Sequence, residues 1–236
     1  MTDFVLVHGA FHGGWCWPRV AGPLRAAGHR VFTPTQTGLG ERAHLMSAAI
    51  TLDTFTDDLL GVLEAEELTE AVLVGHSFGG CAITGVADRA PARIRQLIYL
   101  DSVVPRDGRT SLELGTPEAA ARRRALAEET GGVSVVPPDP GEYGVPPGPD
   151  ADWLCRRMTP QPFGALNSAL HLRNPPGNGL PRTYVACTTP EYAPLAGHRA
   201  WVRAQPGWGW RDLAAGHDAM VTAPDLLAEL LLELTR

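Results

Sequence analysis

The chain has 236 residues, 44% of them apolar and 19% charged, with a net charge of −6. That length allows a single α/β domain with a sizeable core, and the modestly acidic balance argues against a nucleic-acid-binding surface. All 20 basic residues are arginines, so no mechanism that needs a lysine is available. Cys16, Cys81, Cys155 and Cys187 are scattered, with no Cys-x-x-Cys spacing. Free thiols are therefore expected, buried at Cys81 and Cys187, rather than disulfides or a metal site.

In chain order, a short apolar run at residues 4–7 reads as the first strand, followed by a glycine-rich loop from His8 to Trp15 and a helical pattern at 17–27. A strand at 30–33, a loop holding Thr37-Gly38-Leu39-Gly40-Glu41-Arg42, a helix at 54–67 and a strand at 71–74 come next. A helix at 78–90 and a strand at 96–100 complete the first half. After a long interruption the alternation resumes with strands at 184–187 and 208–213 and helices at 199–204 and 224–234. Near-continuous apolar strands separated by helices predict a six-stranded, mainly parallel sheet covered by helices on both faces.

The interruption, residues 105–181, contains a charged helical pattern at 117–129, a Pro/Gly-rich run at 136–149 and helical fragments near Trp153 and Phe163. Proline at that density prevents regular strand pairing. The predicted organisation is a core of residues 1–104 and 182–236 with a helical cap at 105–181, hanging over the carboxyl edge of the sheet where such sheets bind ligands. A long surface loop without a role is the alternative. There is no apolar stretch of membrane-spanning length and no basic leader before residue 4, so a cytoplasmic protein with no membrane partner is expected.

The strongest local signal is Val72-Leu73-Val74-Gly75-His76-Ser77-Phe78-Gly79-Gly80. A buried-type strand runs into Gly-X-Ser-X-Gly and straight on into a helix, the sequence form of a nucleophile elbow. Glycines two before and two after Ser77 avoid clashes as the strand reverses, and the strained turn holds the serine hydroxyl at a helix N-terminus. A tight turn with an incidental serine is the other reading.

A serine nucleophile needs a base, an orienting acid and an oxyanion hole. Ala215-Gly216-His217-Asp218-Ala219-Met220 follows the last strand, which makes His217 the candidate base, last in chain order as in α/β-hydrolases. His76 lies inside the elbow and is expected to shape it. The backbone N–H of Phe78 and, from the first loop, that of Ala10 are the candidate oxyanion donors. His8 and His12 are expected to brace that loop, and Trp15 and Trp17 to pack. Phe11, Trp153, Met158 and Phe163 are the candidate substrate-wall residues.

The first loop, Leu6-Val7-His8-Gly9-Ala10-Phe11-His12-Gly13-Gly14-Trp15, together with the elbow resembles the α/β-hydrolase family. Within it the two motifs look most like the branch of plant methyl-ester esterases and (S)-hydroxynitrile lyases with their bacterial relatives. The resemblance covers the chain except for the cap. It implies an α/β-hydrolase fold, no cofactor and no metal. Plant members carry their acid after the penultimate strand, and that spacing back from His217 falls on Thr189. Asp101, at the end of the strand after the elbow helix, is the candidate replacement, with loop capping as its other role and Glu191 as the fallback acid. The lyases depend on a threonine in the first loop and a lysine after the histidine. Gly9 and Asp218 stand at those positions, which disfavours cyanohydrin cleavage.

These residues point to hydrolysis of a small apolar or aromatic carboxylic ester. A non-hydrolytic or thioesterase-like tailoring enzyme, and a ligand-binding receptor with a vestigial triad, stay open beside it. The expected partner is a small-molecule ester, and self-association as a homodimer is left open.

Overall fold

The structure is a computed structural model that describes residues 1–236. Its elements in chain order are β1 (Asp3–Val7), α1 (Pro18–Ala26), β2 (Arg30–Phe32), α2 (Leu52–Ala65), β3 (Ala71–His76), α3 (Gly79–Arg89) and β4 (Ile94–Leu100). The insertion then supplies α4 (Ser111–Leu114), α5 (Pro117–Glu128), β5 (Ser134–Val135), α6 (Pro149–Arg157), β6 (Gln161–Pro162) and α7 (Phe163–Asn167). The chain closes with β7 (Arg182–Cys187), α8 (Ala196–Arg203), β8 (Gly209–Leu213), α9 (Ala219–Thr222) and α10 (Pro224–Leu234). No helix is long and apolar enough to cross a membrane.

Six strands form one sheet in the order β2-β1-β3-β4-β7-β8, and every pairing in it is parallel. The expected sheet was mainly parallel; the observed one is wholly so. The central strands are apolar through their middle and carboxyl halves because both faces are covered there. Phe4, Val5, Leu6 and Val7 of β1 and Leu97, Ile98, Tyr99 and Leu100 of β4 are all fully buried. β8 stands at one edge, with Arg211 and Asp212 exposed and Leu213 buried.

The crossover direction reverses between the β1–β2 and β2–β3 connections, so right-handed crossovers place α1 and α2 on opposite faces. Accordingly α1 packs against α10 and α2 against α3. The reversal leaves a crevice at the carboxyl ends of β1 and β3, the switch point where open α/β sheets bind ligands. The first glycine-rich loop and Ser77 both lie there.

Most expected boundaries shift by one to three residues. The insertion adds a small antiparallel pairing, β5 with β6, that proline content had argued against. It forms because Pro162 sits at the end of its strand, where a missing N–H costs no ladder bond. The insertion is tied to the core through Phe11, whose N–H donates to Gln161 Oε1 at 3.0 Å and whose carbonyl accepts from Thr159 N–H at 2.9 Å.

Candidate active site

The strand β3 ends at His76, and helix α3 begins at Gly79, so Ser77 and Phe78 make the whole reversal. Ser77 takes φ +50°, a left-handed conformation that a non-glycine residue holds only when its surroundings over-determine it. They do so here. Ser77 N–H donates to the Leu100 carbonyl at 3.1 Å, and the Ser77 carbonyl accepts from Val103 N–H at 2.9 Å and the Ser102 hydroxyl at 2.7 Å. A Cβ at position 79 would lie 2.7 Å from the His8 carbonyl oxygen, so only glycine lets α3 start this close to the β1 loop.

His217, in the loop after β8, brings Nε2 to 3.0 Å from Ser77 Oγ and Nδ1 to 2.7 Å from Asp101 Oδ2. With Nδ1–H donating to the carboxylate, Nε2 is left as the acceptor for the serine hydroxyl. Asp101 follows β4 directly, at φ +40°, and its N–H donates to the Val185 carbonyl at 2.7 Å. Its other carboxylate oxygen, Oδ1, accepts from Arg199 Nη2 at 2.6 Å and Nε at 3.1 Å and from Cys187 N–H at 3.4 Å. Burial alone would raise the Asp101 carboxyl; the hydrogen bonds and charges of His217 and Arg199 hold it below its ordinary value. Glu191 is exposed and lies 3.7 Å from Arg199 Nη1, while the His217 ring nitrogens are bonded to Asp101 and Ser77.

The His217 ring is held between two others, stacked on Tyr192 with centroids 4.2 Å apart and tilted against His76 at 4.7 Å. Tyr143 lies 5.5 Å away on the same side as Tyr192, which it meets at 5.7 Å. His76 Nε2–H donates to the His217 carbonyl at 3.0 Å. Burial, then the neighbouring His217 charge, pushes the His76 pKa down to about 3, so this ring is a neutral brace.

The glycine-rich loop is braced by histidines as well. His8 Nε2 accepts from Gln36 N–H at 3.1 Å while Nδ1 donates to the Gly9 carbonyl at 2.8 Å. His12 Nδ1 donates to the Ala10 carbonyl at 2.8 Å. The Ala10 and Phe78 N–H groups donate to nothing within the chain, unlike that of Phe11. Both Ala10 and Phe78 line the cavity that opens on Ser77.

That cavity measures about 290 Å³. Its apolar wall includes Val103, Leu166 and Leu195, and Tyr143 and Tyr192 close it beside His217. A second cavity of about 220 Å³ adjoins it through Arg123, Tyr143 and Tyr192. Of the four expected wall residues, Phe11 lines only this second chamber. Trp153 instead packs edge-on against Trp15 at 5.1 Å, held under Arg157. Met158 lines neither chamber, and Phe163 faces a separate surface depression. Trp153 on α6, Met158 in extended backbone just after α6 and Phe163 at the start of α7 are instead half-buried against the core.

Sequence reasoning missed Tyr143, Tyr192 and Arg199. The tyrosines stand in irregular segments with no periodicity to read. Arg199 begins the expected helix at 199–204 and is buried; a charged residue on a core-facing helix position is the signal that pointed to a buried partner. In the loop after β2, Arg42 reaches Asp58 Oδ1 at 3.0 Å. His76, His217 and Asp218 bring ligand-capable atoms within 4.8 Å of one another. The ring nitrogens of His217 are engaged by Ser77 and Asp101, however, and His76 Nε2 by a carbonyl, so this is not a free metal-ligand set.

Comparison with known proteins agrees with this geometry. Residues 4–230 match the model of the alpha/beta hydrolase family. The chain is 41% identical over 98% of both chains to a carbendazim hydrolyzing esterase from Nocardioides sp. (strain SG-4G). It is 29% identical to a pyrethroid hydrolase from Sphingobium wenxiniae, over 98% of this chain and 86% of that one. Among solved structures, an extracellular alpha/beta-hydrolase from a Paenibacillus species superimposes with a TM-score of 0.86 at 22% identity, covering 99% of this chain and 98% of that one. The chain is a hydrolase of the carboxylesterase type and belongs to the alpha/beta hydrolase family.

Proposed function

We propose that the protein is a serine esterase that works through an acyl-enzyme on Ser77, with His217 as general base and Asp101 as the third member of the triad. The observation that carries this reading is the unbroken chain Ser77 Oγ, His217, Asp101 at 3.0 and 2.7 Å, beside two backbone N–H groups with no partner of their own.

In the first step Ser77 Oγ attacks the ester carbonyl carbon while its proton passes to His217 Nε2. The carbonyl oxygen becomes an oxyanion, held by the N–H groups of Phe78 and Ala10, where the N-terminus of α3 adds a favourable dipole. As the intermediate collapses, His217 returns the proton to the departing alkoxide, and the alcohol leaves. Water then attacks the acyl-serine, again giving a proton to His217, and the acid is released with Ser77 restored. Asp101 holds the imidazole in the required tautomer and stabilises its charged form; it stays ionised throughout.

The mostly apolar walls favour a small ester with an aromatic or aliphatic group beside the carbonyl, and residues 105–181 act as a cap over it. Carbendazim is the first compound to test, given the Nocardioides relative. The lyase alternative fits poorly at Gly9, where a Cβ would sit 2.8 Å from Ser77 Cβ and a threonine has no room. Turnover of p-nitrophenyl acetate and butyrate by wild type and Ser77→Ala tests the proposal. Turnover that vanishes in Ser77→Ala supports it, and Ser77-independent or absent turnover rejects it in favour of a tailoring enzyme or a receptor.

A further inference from the structure

Asp218 is the buried charge nearest His217 that the proposed reaction leaves unused. It is fully buried, with Oδ2 3.3 Å from His12 Nε2 and Oδ1 3.8 Å from His76 Nε2. Neither oxygen accepts a well-aligned hydrogen bond, so its contact with His12 is an ion pair fixed by the walls around it. The far nitrogen of His12 donates to the Ala10 carbonyl. A ring that donates from Nδ1 and faces a carboxylate with Nε2 carries protons on both nitrogens.

The surroundings agree with a charged His12. Burial, the largest single effect, works against it, but the charge of Asp218, the side-chain contact with Asp218 and the Ala10 carbonyl together outweigh burial and raise the His12 pKa. In return His12, with smaller contributions from His76 and His217, holds the Asp218 carboxyl low against its own burial. The other groups facing the His12 ring are Trp15, stacked at 5.4 Å, Tyr143 at 6.0 Å and His76 at 6.3 Å. His8, on the same loop, is pushed down to about 4 by burial. No other carboxylate pairs with His12.

The pair spans two loops whose relative position matters. His8 holds the Gly9 carbonyl, on the same peptide unit as the Ala10 N–H, and His12 holds the carbonyl on the other side of Ala10. Asp218 is the residue after His217. We propose that His12 and Asp218 are positioning residues, an ion pair that locks the Ala10 oxyanion donor of the β1 loop to the His217 loop of β8. Removing one partner of such a pair strands a buried charge, and a donor displaced by a fraction of an ångström loses much of its effect on the transition state. The kinetic half of this inference rests on the esterase reading above; the protonation state of His12 does not.

The test combines Asp218→Asn, His12→Gln and the double variant with histidine ¹⁵N NMR of the wild type. On p-nitrophenyl butyrate each single variant is expected to lose about tenfold or more in kcat with KM nearly unchanged, and the double variant to lose no more than the worse single one. The wild-type His12 ring is expected to show two N–H groups near neutral pH, and in Asp218→Asn only one. Full kcat in Asp218→Asn, additive losses in the double variant, or a neutral wild-type His12 would each overturn the proposal. If a variant does not fold, the wild-type ring alone decides. If the wild type hydrolyses no ester, a doubly protonated His12 still supports the pair while the esterase reading fails separately.

Discussion

Arg199 and Asp101 form a buried ion pair immediately behind His217. Two guanidinium nitrogens meet Asp101 Oδ1 at 2.6 and 3.1 Å, which leaves Oδ2 free to receive His217 Nδ1–H at 2.7 Å. The same guanidinium donates to the Cys187 carbonyl at 3.2 Å and the Tyr192 carbonyl at 3.3 Å. One residue of α8 thus fixes the carboxylate, the end of β7 and the segment that carries the ring stacked on His217. Arg199→Met strands the Asp101 charge, and a loss of about 3 kcal/mol or more is expected by urea denaturation. kcat should fall with it, and Arg199→Lys should recover little, since an ammonium cannot reproduce the two-pronged contact.

Asp101→Asn should keep the fold and lower kcat by about 10³–10⁴-fold, because an amide stabilises the wrong imidazole tautomer. Glu191→Gln should change kcat by less than about twofold, since an exposed carboxylate near Arg199 contributes little. Steady-state kinetics on p-nitrophenyl butyrate separates the two. A crippled Glu191→Gln with a nearly normal Asp101→Asn would reverse the assignment of the acid.

Gly9→Ala is expected to lower kcat by about 10²-fold with little change in melting temperature. Its Cβ would approach Ser77 Cβ to 2.8 Å and His76 Nδ1 to 3.0 Å, pushing Ser77 or the β1 loop out of line. Normal kinetics in this variant would mean that the loop has slack the geometry does not suggest.

Acid should destabilise the fold before its carboxylates titrate. Burial lowers His8 to about 4, His76 to about 3 and, with help from Arg106, His198 to about 4. In the unfolded chain these rings take up protons near pH 6.5, so the unfolded state binds more protons and stability falls as pH drops below that value. His12, with its raised pKa, has the opposite sign: its contribution is present below the unfolded value and is lost as pH rises through the folded one. Three rings against one give a net loss on acidification. Asp101 and Asp218 are held low, so their contribution persists above the ordinary carboxylate range of about 4 and disappears only below it. A scan of melting temperature should show a fall of at least about 4 °C from roughly pH 7 to pH 5. A flat profile across that window would contradict buried neutral histidines.

The sequence was most legible where a local rule forces the structure. Residues 4–7, 71–74 and 97–100, the buried parts of their strands, read as strands because buried parallel strands leave no polar alternation to confuse the pattern. The elbow read cleanly because Gly-X-Ser-X-Gly has a purpose only between a strand and a helix. The place of Asp101 was legible, at the end of the strand that pairs with β3; its contact with His217 was not. The cavity wall was not legible. Trp153, Met158 and Phe163 were chosen for size and for lying in the insertion, but they pack against the core instead. Tyr143 and Tyr192 line the cavity from segments whose path depends on contacts far away in the chain. The His12–Asp218 pair joins residues from opposite ends of the chain, and no local pattern records such a contact.

The central claim is that Ser77 is the nucleophile, and covalent labelling tests it most directly. After treatment with an aryl fluorophosphonate, intact-mass measurement followed by peptide mapping should find one adduct per chain, on Ser77, with none in Ser77→Ala and markedly slower labelling in Asp101→Asn. An unlabelled Ser77 in folded protein, or an adduct at another residue that persists in Ser77→Ala, would contradict the account.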